Sequence, residues 1–220
     1  KILTALVALE NGNLSDTVTV ADEADSGKFA ADEQTCGIKA GDQLTLEDLL
    51  NGLLLYSGND NAVAIADHIA GSTEKFAEMM NAEAKKLMAT NSHFVNPSGL
   101  HDDNHYTTAY DLYLIFNECI KHDEFVKIIN SSSYTAHITG ADGTKRDVKW
   151  EPTNYYAKGE ATPPDNVTII GGKTGTTKGA GNCLILLTKD SSGNPYISII
   201  MGAASKPLLY QDMTSMLSKI

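Results

Sequence analysis

The chain has 220 residues, 42% of them hydrophobic and 20% charged, a composition that suits one globular domain or a core with an inserted subdomain. Its net charge of −11 and a single arginine, Arg146, argue against phosphate-backbone recognition, so no nucleic-acid partner is expected. No apolar run approaches the ~20 residues that a membrane helix needs, so membrane association is expected only through segments outside this chain.

In chain order, Lys1–Glu10 places apolar residues at 2, 3, 6, 7 and 9, one face of a helix, and Gly12 follows as a stop. Because the chain opens on this helical pattern with no signal peptide, an N-terminal segment is expected to have been removed or left out. Thr17–Val20 alternates like a short strand, whereas residues 22–44 are polar, contain glycine and give weak signals of order. Thr45 with Asp48 three residues on predicts a capped helix, Leu46–Leu55, apolar enough to be buried. It runs into Tyr56-Ser57-Gly58-Asn59, after which Ala62–Ala70 reads as a second apolar helix ended by Gly71. Ser72 caps a third helix, amphipathic to about Met88, while Thr108–Lys121 and Glu124–Ile129 read as two more.

The pattern then changes from helical to strand-like. Ser133–Thr139 alternates, Gly140-Ala141-Asp142-Gly143 is a turn, and Lys145–Trp150 pairs back as a hairpin. Val167–Thr174, Asn182–Thr188 and Tyr196–Gly202 follow as strands, with a tight turn at Asp190–Asn194, and Lys206–Ile220 closes as a helix. Helices first and antiparallel strands last predict an α+β protein. The expected organisation is a mainly helical region over 1–160 carrying the Ser-Gly-Asn tripeptide and the hairpin. Antiparallel strands and the closing helix occupy 161–220, and the two make one catalytic domain.

Several segments carry potential chemistry. Gly172-Lys173-Thr174-Gly175-Thr176 ends an apolar strand with a cation, hydroxyls and a glycine against which a ligand backbone can lie. It is not a phosphate loop, because the glycine required five positions before Gly172 is Val167. Ser57-Gly58-Asn59 lies between buried helices, which favours a cleft; the same tripeptide at 192–194 is an ordinary turn, so its placement carries the signal. Ser72 and Lys75 have the Ser-x-x-Lys spacing of an activated serine, but Ser72 is better read as a helix cap. Glu47 is read as first-turn helix charge. His101 and His105 are four apart in a polar loop with no further ligand set, so no metal is expected. Cys36, Cys119 and Cys183 match no zinc or redox spacing and are expected to be unpaired and structural.

Taken in order, these segments resemble the low-molecular-mass penicillin-binding proteins, the serine D-Ala-D-Ala carboxypeptidases of β-lactamase/transpeptidase-like fold. Lys1–Glu10 looks like the stretch that begins at the lysine of their Ser-x-x-Lys motif, and Leu53–Ala62 like their second motif. Phe94–Leu100 followed by His105–Asp111, then Thr153-Asn154 and Gly172–Thr176, complete the order. The resemblance places the nucleophilic serine three residues before Lys1, outside this sequence, and the N-terminal strands of the sheet are missing likewise. A partial sequence, or a fragment that cannot acylate, is therefore expected. The C-terminal β-rich domain and anchoring helix of many members are absent too.

The resemblance implies an acyl-transfer site in which that serine attacks the carbonyl between two terminal D-alanines. Lys1 would be its base, as a neutral amine; an unperturbed lysine is neutral only about once in 2,500 molecules at pH 7, so burial and a second cation at Lys173 would have to lower its pKa. Ser57 would relay a proton to the departing amine, Lys173 would hold that relay electrostatically, and Asn59 would bond the substrate backbone. Thr174 and Thr176 would take the terminal carboxylate beside Gly175, and the Thr176 N–H would share an oxyanion hole with the serine. The strand ending at Lys173 would align the peptide like an added β-strand. No cofactor is implied. The expected partners are a peptidoglycan stem peptide and β-lactams, and the expected place is the cell envelope, at the outer face of the cytoplasmic membrane or secreted. A class A-like β-lactamase is the alternative; it needs a water-activating glutamate after Ser57, and Glu118, Glu124, Glu151 and Glu160 all lack the expected context. A wall-peptide binding module without catalysis is the other alternative, and a metal hydrolase is a distant one.

Overall fold

The computed structural model describes every residue from Lys1 to Ile220. Helix α1 (Ile2–Asn11) is buried on all sides over Ile2–Ala8, rather than on one face as its pattern predicts. Ala5 and Ala8 are small enough to let neighbouring helices close around it, and the polar Thr4 is satisfied by donating to Pro97 O at 2.6 Å. Strand β1 (Thr17–Thr19) and strand β2 (Gln43–Thr45) flank the segment that gave weak signals. That segment is ordered by carboxylates instead of periodicity. Asp25 accepts from Gly27 and Ala40 N–H, Asp42 from Lys39 N–H and Arg146, and Asp60 from Cys36, Gly37 and Ile38 N–H.

The capping box of Thr45 and Asp48 starts helix α2 (Leu46–Asn51), which continues into a single π-helical turn, Gly52–Tyr56. Helix α3 (Asn59–Ala70) ends on the left-handed Gly71, and Ser72 caps helix α4 (Thr73–Lys86) by accepting from Lys75 N–H. Thr108 likewise caps helix α5 (Ala109–Cys119), and helix α6 (Asp123–Ile129) follows. Strands β3 (Tyr134–Thr139) and β4 (Lys145–Trp150) form the predicted hairpin, and a short helix α7 (Tyr155–Lys158) leads towards strand β5 (Val167–Thr177). Strands β6 (Gly181–Asp190) and β7 (Pro195–Ala203) and helix α8 (Lys206–Leu217) complete the chain. No helix is long and apolar enough to cross a membrane.

The strands form two antiparallel sheets, ordered β1-β2-β3-β4 and β5-β6-β7. Strand β6 explains the layering. Its side chains alternate, so Leu184 and Leu186 pack on Leu209, Met213 and Leu217 of α8, while Ile185 and Leu187 join the helical core. Each fully buried side chain of this kind contributes ~1.5–3 kcal/mol. Register carries the alternation to β5, where Lys173 pairs with Ile185 and therefore faces the helical layer. A bulge at Ile169/Gly171 lets β5 pass α6: a Cβ on Gly171 would lie 1.9 Å from Ile129 O.

Candidate active site

The site lies where β5 meets the helical layer. The π-helical turn ends at Ser57, which adopts φ 64°, a left-handed conformation uncommon for a residue other than glycine. The glycine of the tripeptide, Gly58, is not the left-handed residue (φ −65°). Its missing side chain is a packing requirement, since a Cβ there would lie 2.5 Å from Cys36 Sγ. Asn59 opens α3 and donates its backbone N–H to Gln34 O at 2.8 Å.

Side chains from three distant segments converge on this turn. Lys1, at the head of α1, donates from Nζ to Asn59 Oδ1 at 2.7 Å. Lys173 donates from Nζ to Ser57 Oγ at 2.9 Å and to Thr174 O at 2.7 Å. Thr174 Oγ1 lies 2.6 Å from Thr153 Oγ1, and the Thr153 N–H donates to Leu55 O, so Thr153 ties β5 to the π-helical turn. With Asn59 Oδ1 engaged by Lys1, the amide N–H groups of Asn59 are left for an acceptor in the cleft.

Both lysines have pKa values below the ordinary lysine value. Burial lowers Lys1 to about 8, against the raising influence of Cys36 and Asp60. Burial and then repulsion from Lys1 hold Lys173 well below the usual lysine range. The Lys1 ammonium disfavours a second charge on Lys173, so the cleft resists carrying both.

A cleft of about 680 Å³ contains Lys1, Ser57, Asn59, Lys173, Thr174, Gly175 and Thr176 together. Thr176 is exposed, and its Oγ1 is 3.4 Å from Asn182 Oδ1. The cleft is also lined by Ser98–Leu100 of the Phe94–Leu100 segment, by His101, and by Asp32–Gln34 and Thr177–Ala180, which no motif marks. His101 crosses to the β5–β6 turn, where a Cβ on Gly179 would meet its Nδ1 at 3.0 Å. The paired histidines thus separate: His101 lines the cleft, while His105 turns inward, accepts from Val95 N–H and is lowered by burial to about 4. The cysteines are all free; Cys36 and Cys119 are buried, and Cys183 borders the cleft opposite Gly175. Ser72 is a helix cap away from the cleft, and none of Glu118, Glu124, Glu151 or Glu160 lines it. The cleft's own glutamate, Glu33, is engaged by Ala30 N–H.

Residues 1–205 match the family model described as D-alanyl-D-alanine carboxypeptidase. The chain belongs to that family. It is 30% identical over 99% of its length to the D-alanyl-D-alanine carboxypeptidase DacF of Bacillus subtilis, and covers 53% of that protein. It is 37% identical over 82% of its length to DacB2 of Mycobacterium tuberculosis, covering 57% of it. Thus the chain spans about half the length of the curated relatives it matches. Among solved structures, the DD-transpeptidase of Streptomyces K15 superposes with a TM-score of 0.89 at 30% identity, over 99% of this chain and 84% of the other. The α+β architecture expected from the sequence is the one these relatives share.

Proposed function

We propose that the protein is a serine-type D-Ala-D-Ala carboxypeptidase that removes the terminal D-alanine of peptidoglycan stem peptides. The nucleophile is a serine three residues before Lys1, supplied by the longer protein. The observation that carries this reading is the convergence of Lys1, Asn59, Ser57 and Lys173 as two hydrogen-bonded pairs in one cleft.

In this reading Lys1 is the base. At a pKa of about 8 it is neutral in roughly one molecule in ten at pH 7, about two hundredfold more often than a free lysine. Lys173, bonded to Ser57 Oγ, orients that hydroxyl to pass a proton to the leaving D-alanine amine. The terminal carboxylate of the peptide lies against Thr174 and Thr176, beside Gly175. Its charge raises Lys173 again, and a charged Lys173 then drives the proton off Lys1, so carboxylate binding and base activation are coupled. The Asn59 amide holds the peptide backbone, and β5 runs beside it as a neighbouring strand. The acyl-enzyme is then hydrolysed; β-lactams acylate the same serine and leave slowly. Both regions of the chain act as one catalytic unit, working outside the cytoplasm in the cell envelope. The test is incubation of the full-length protein with a peptide ending in D-Ala-D-Ala. Stoichiometric D-alanine release that stops on adding penicillin is expected, and rapid turnover of a chromogenic cephalosporin would instead indicate a β-lactamase.

A further inference from the structure

We propose that Asp60 is a positioning residue of this site: its buried carboxylate clamps the cleft-wall loop 34–38 to the first turn of α3 and thereby holds Asn59 against Lys1. The proposal deepens the acyl-transfer reading and rests on it.

Asp60 follows Asn59 in α3 and is completely buried. No lysine, arginine or histidine pairs with it. It is held by backbone N–H groups instead: burial raises its pKa above the usual carboxylate value, and these donors oppose that shift and favour the ionised form. Its Oδ1 accepts from Cys36 N–H at 2.8 Å and Asn61 N–H at 3.0 Å. Its Oδ2 accepts from Cys36 N–H at 3.0 Å, Gly37 N–H at 3.0 Å and Ile38 N–H at 3.2 Å. Three successive loop amides therefore point at one carboxylate, and Gly37 reaches this geometry at φ 80°.

The clamp acts on the site through two short paths. The same loop places Gln34 O where it accepts the Asn59 N–H, and Asn59 Oδ1 accepts from Lys1 Nζ. It also seats Cys36 Sγ in the space left by Gly58, directly after Ser57. Loosening the loop thus moves Gly58 and Asn59 of the Ser57-Gly58-Asn59 turn and the wall formed by Asp32–Gln34.

The carboxylate has an electrostatic role as well. The titratable side chains around Lys1 Nζ are Asp60 on α3, Cys36 on the loop and Lys173 on β5. Burial holds the Cys36 thiol well above its usual range, so it is uncharged near neutrality. Asp60 is then an anion that raises Lys1 against the lowering by burial.

The experiment compares wild type with Asp60→Asn and Asp60→Glu in the full-length protein. Three readouts are taken: the penicillin acylation rate, the pH midpoint of the Lys1 side chain by lysine-selective 13C NMR, and amide exchange at Gly37 and Ile38. Above about pH 9, where Lys1 is neutral in both proteins, Asp60→Asn is expected to slow acylation at least tenfold through loss of positioning. It should also speed exchange at both amides and move the Lys1 midpoint below that of the wild type. Asp60→Glu should restore the midpoint. Unchanged acylation in Asp60→Asn, or slowed acylation with an unmoved Lys1 midpoint, overturns the proposal. Should Asp60→Asn not fold, the wild type decides, because the Gly37 and Ile38 amide shifts report the ionisation of Asp60. They should be flat from about pH 6 to 9, where Lys1 titrates, and a carboxyl still protonated there overturns the proposal. Wild type that takes no label refutes the acyl-transfer reading alone, since the midpoint and exchange readouts need no substrate.

Discussion

Lys173 Nζ donates a 2.9 Å hydrogen bond to Ser57 Oγ across 116 positions of sequence. The bond joins the middle of strand β5 to the residue that ends a π-helical turn, and those two elements belong to different layers of the fold. Replacing Lys173 by methionine keeps the length of the stem and removes the donor. Acylation by penicillin is expected to fall ~10²–10⁴-fold, the usual worth of a positioned proton-transfer partner, with the fold intact by circular dichroism.

Ser57 couples conformation to chemistry. Its hydroxyl meets Lys173, while its φ of 64° costs a non-glycine residue ~1–2 kcal/mol. Ser57→Gly should therefore be at least as stable as wild type in urea and yet acylate ~10²–10⁴-fold more slowly. Ser57→Ala keeps the backbone cost and should lose the same rate without the gain in stability.

The pH dependence follows from Lys1. Its pKa in the folded protein is lowered from 10.5 to about 8, so the active neutral amine accumulates as pH rises. The acylation rate should climb through about pH 8 and then level off. For stability, the unfolded chain binds more protons than the folded one between about pH 8 and 10.5. The contribution of this lysine therefore turns more favourable as pH rises through that window. Lys1→Met should flatten both dependences, with stability read from urea midpoints.

Gly171 tests the bulge that carries β5 past α6. A methyl group there would overlap Ile129 O, a backbone atom that cannot swing away. Gly171→Ala is expected to destabilise the protein by ~3 kcal/mol or more in urea denaturation. Gly193→Ala, in an open turn at φ 84°, meets only the conformational cost and should lose ~1–2 kcal/mol.

Local signals in the sequence located the elements well where the physics is local. The side chains of Thr45, Ser72 and Thr108 accept from an N–H three residues on, so those caps are visible in short stretches of sequence. The strand through Lys173 is visible because its apolar run stops at a cation and a glycine, although β5 continues past the predicted Thr174 to Thr177. Residues 22–44 gave little because their order comes from Asp25, Asp42 and Asp60, and two of those pairings span long separations in sequence. The left-handed Ser57 was hidden because the apolar pattern of Leu46–Leu55 runs unbroken into the π-helical turn. His101 was conspicuous for its spacing to His105, yet its neighbour across the cleft is Gly179, which no spacing rule connects to it.

The most direct test is covalent labelling of the full-length protein with a fluorescent penicillin, followed by mapping of the modified peptide. A single adduct on a serine three residues before Lys1, lost when Lys1 is changed to alanine, is the predicted result. A serine at that position that takes no label, or an adduct on Ser57 or Ser72 instead, would contradict the account.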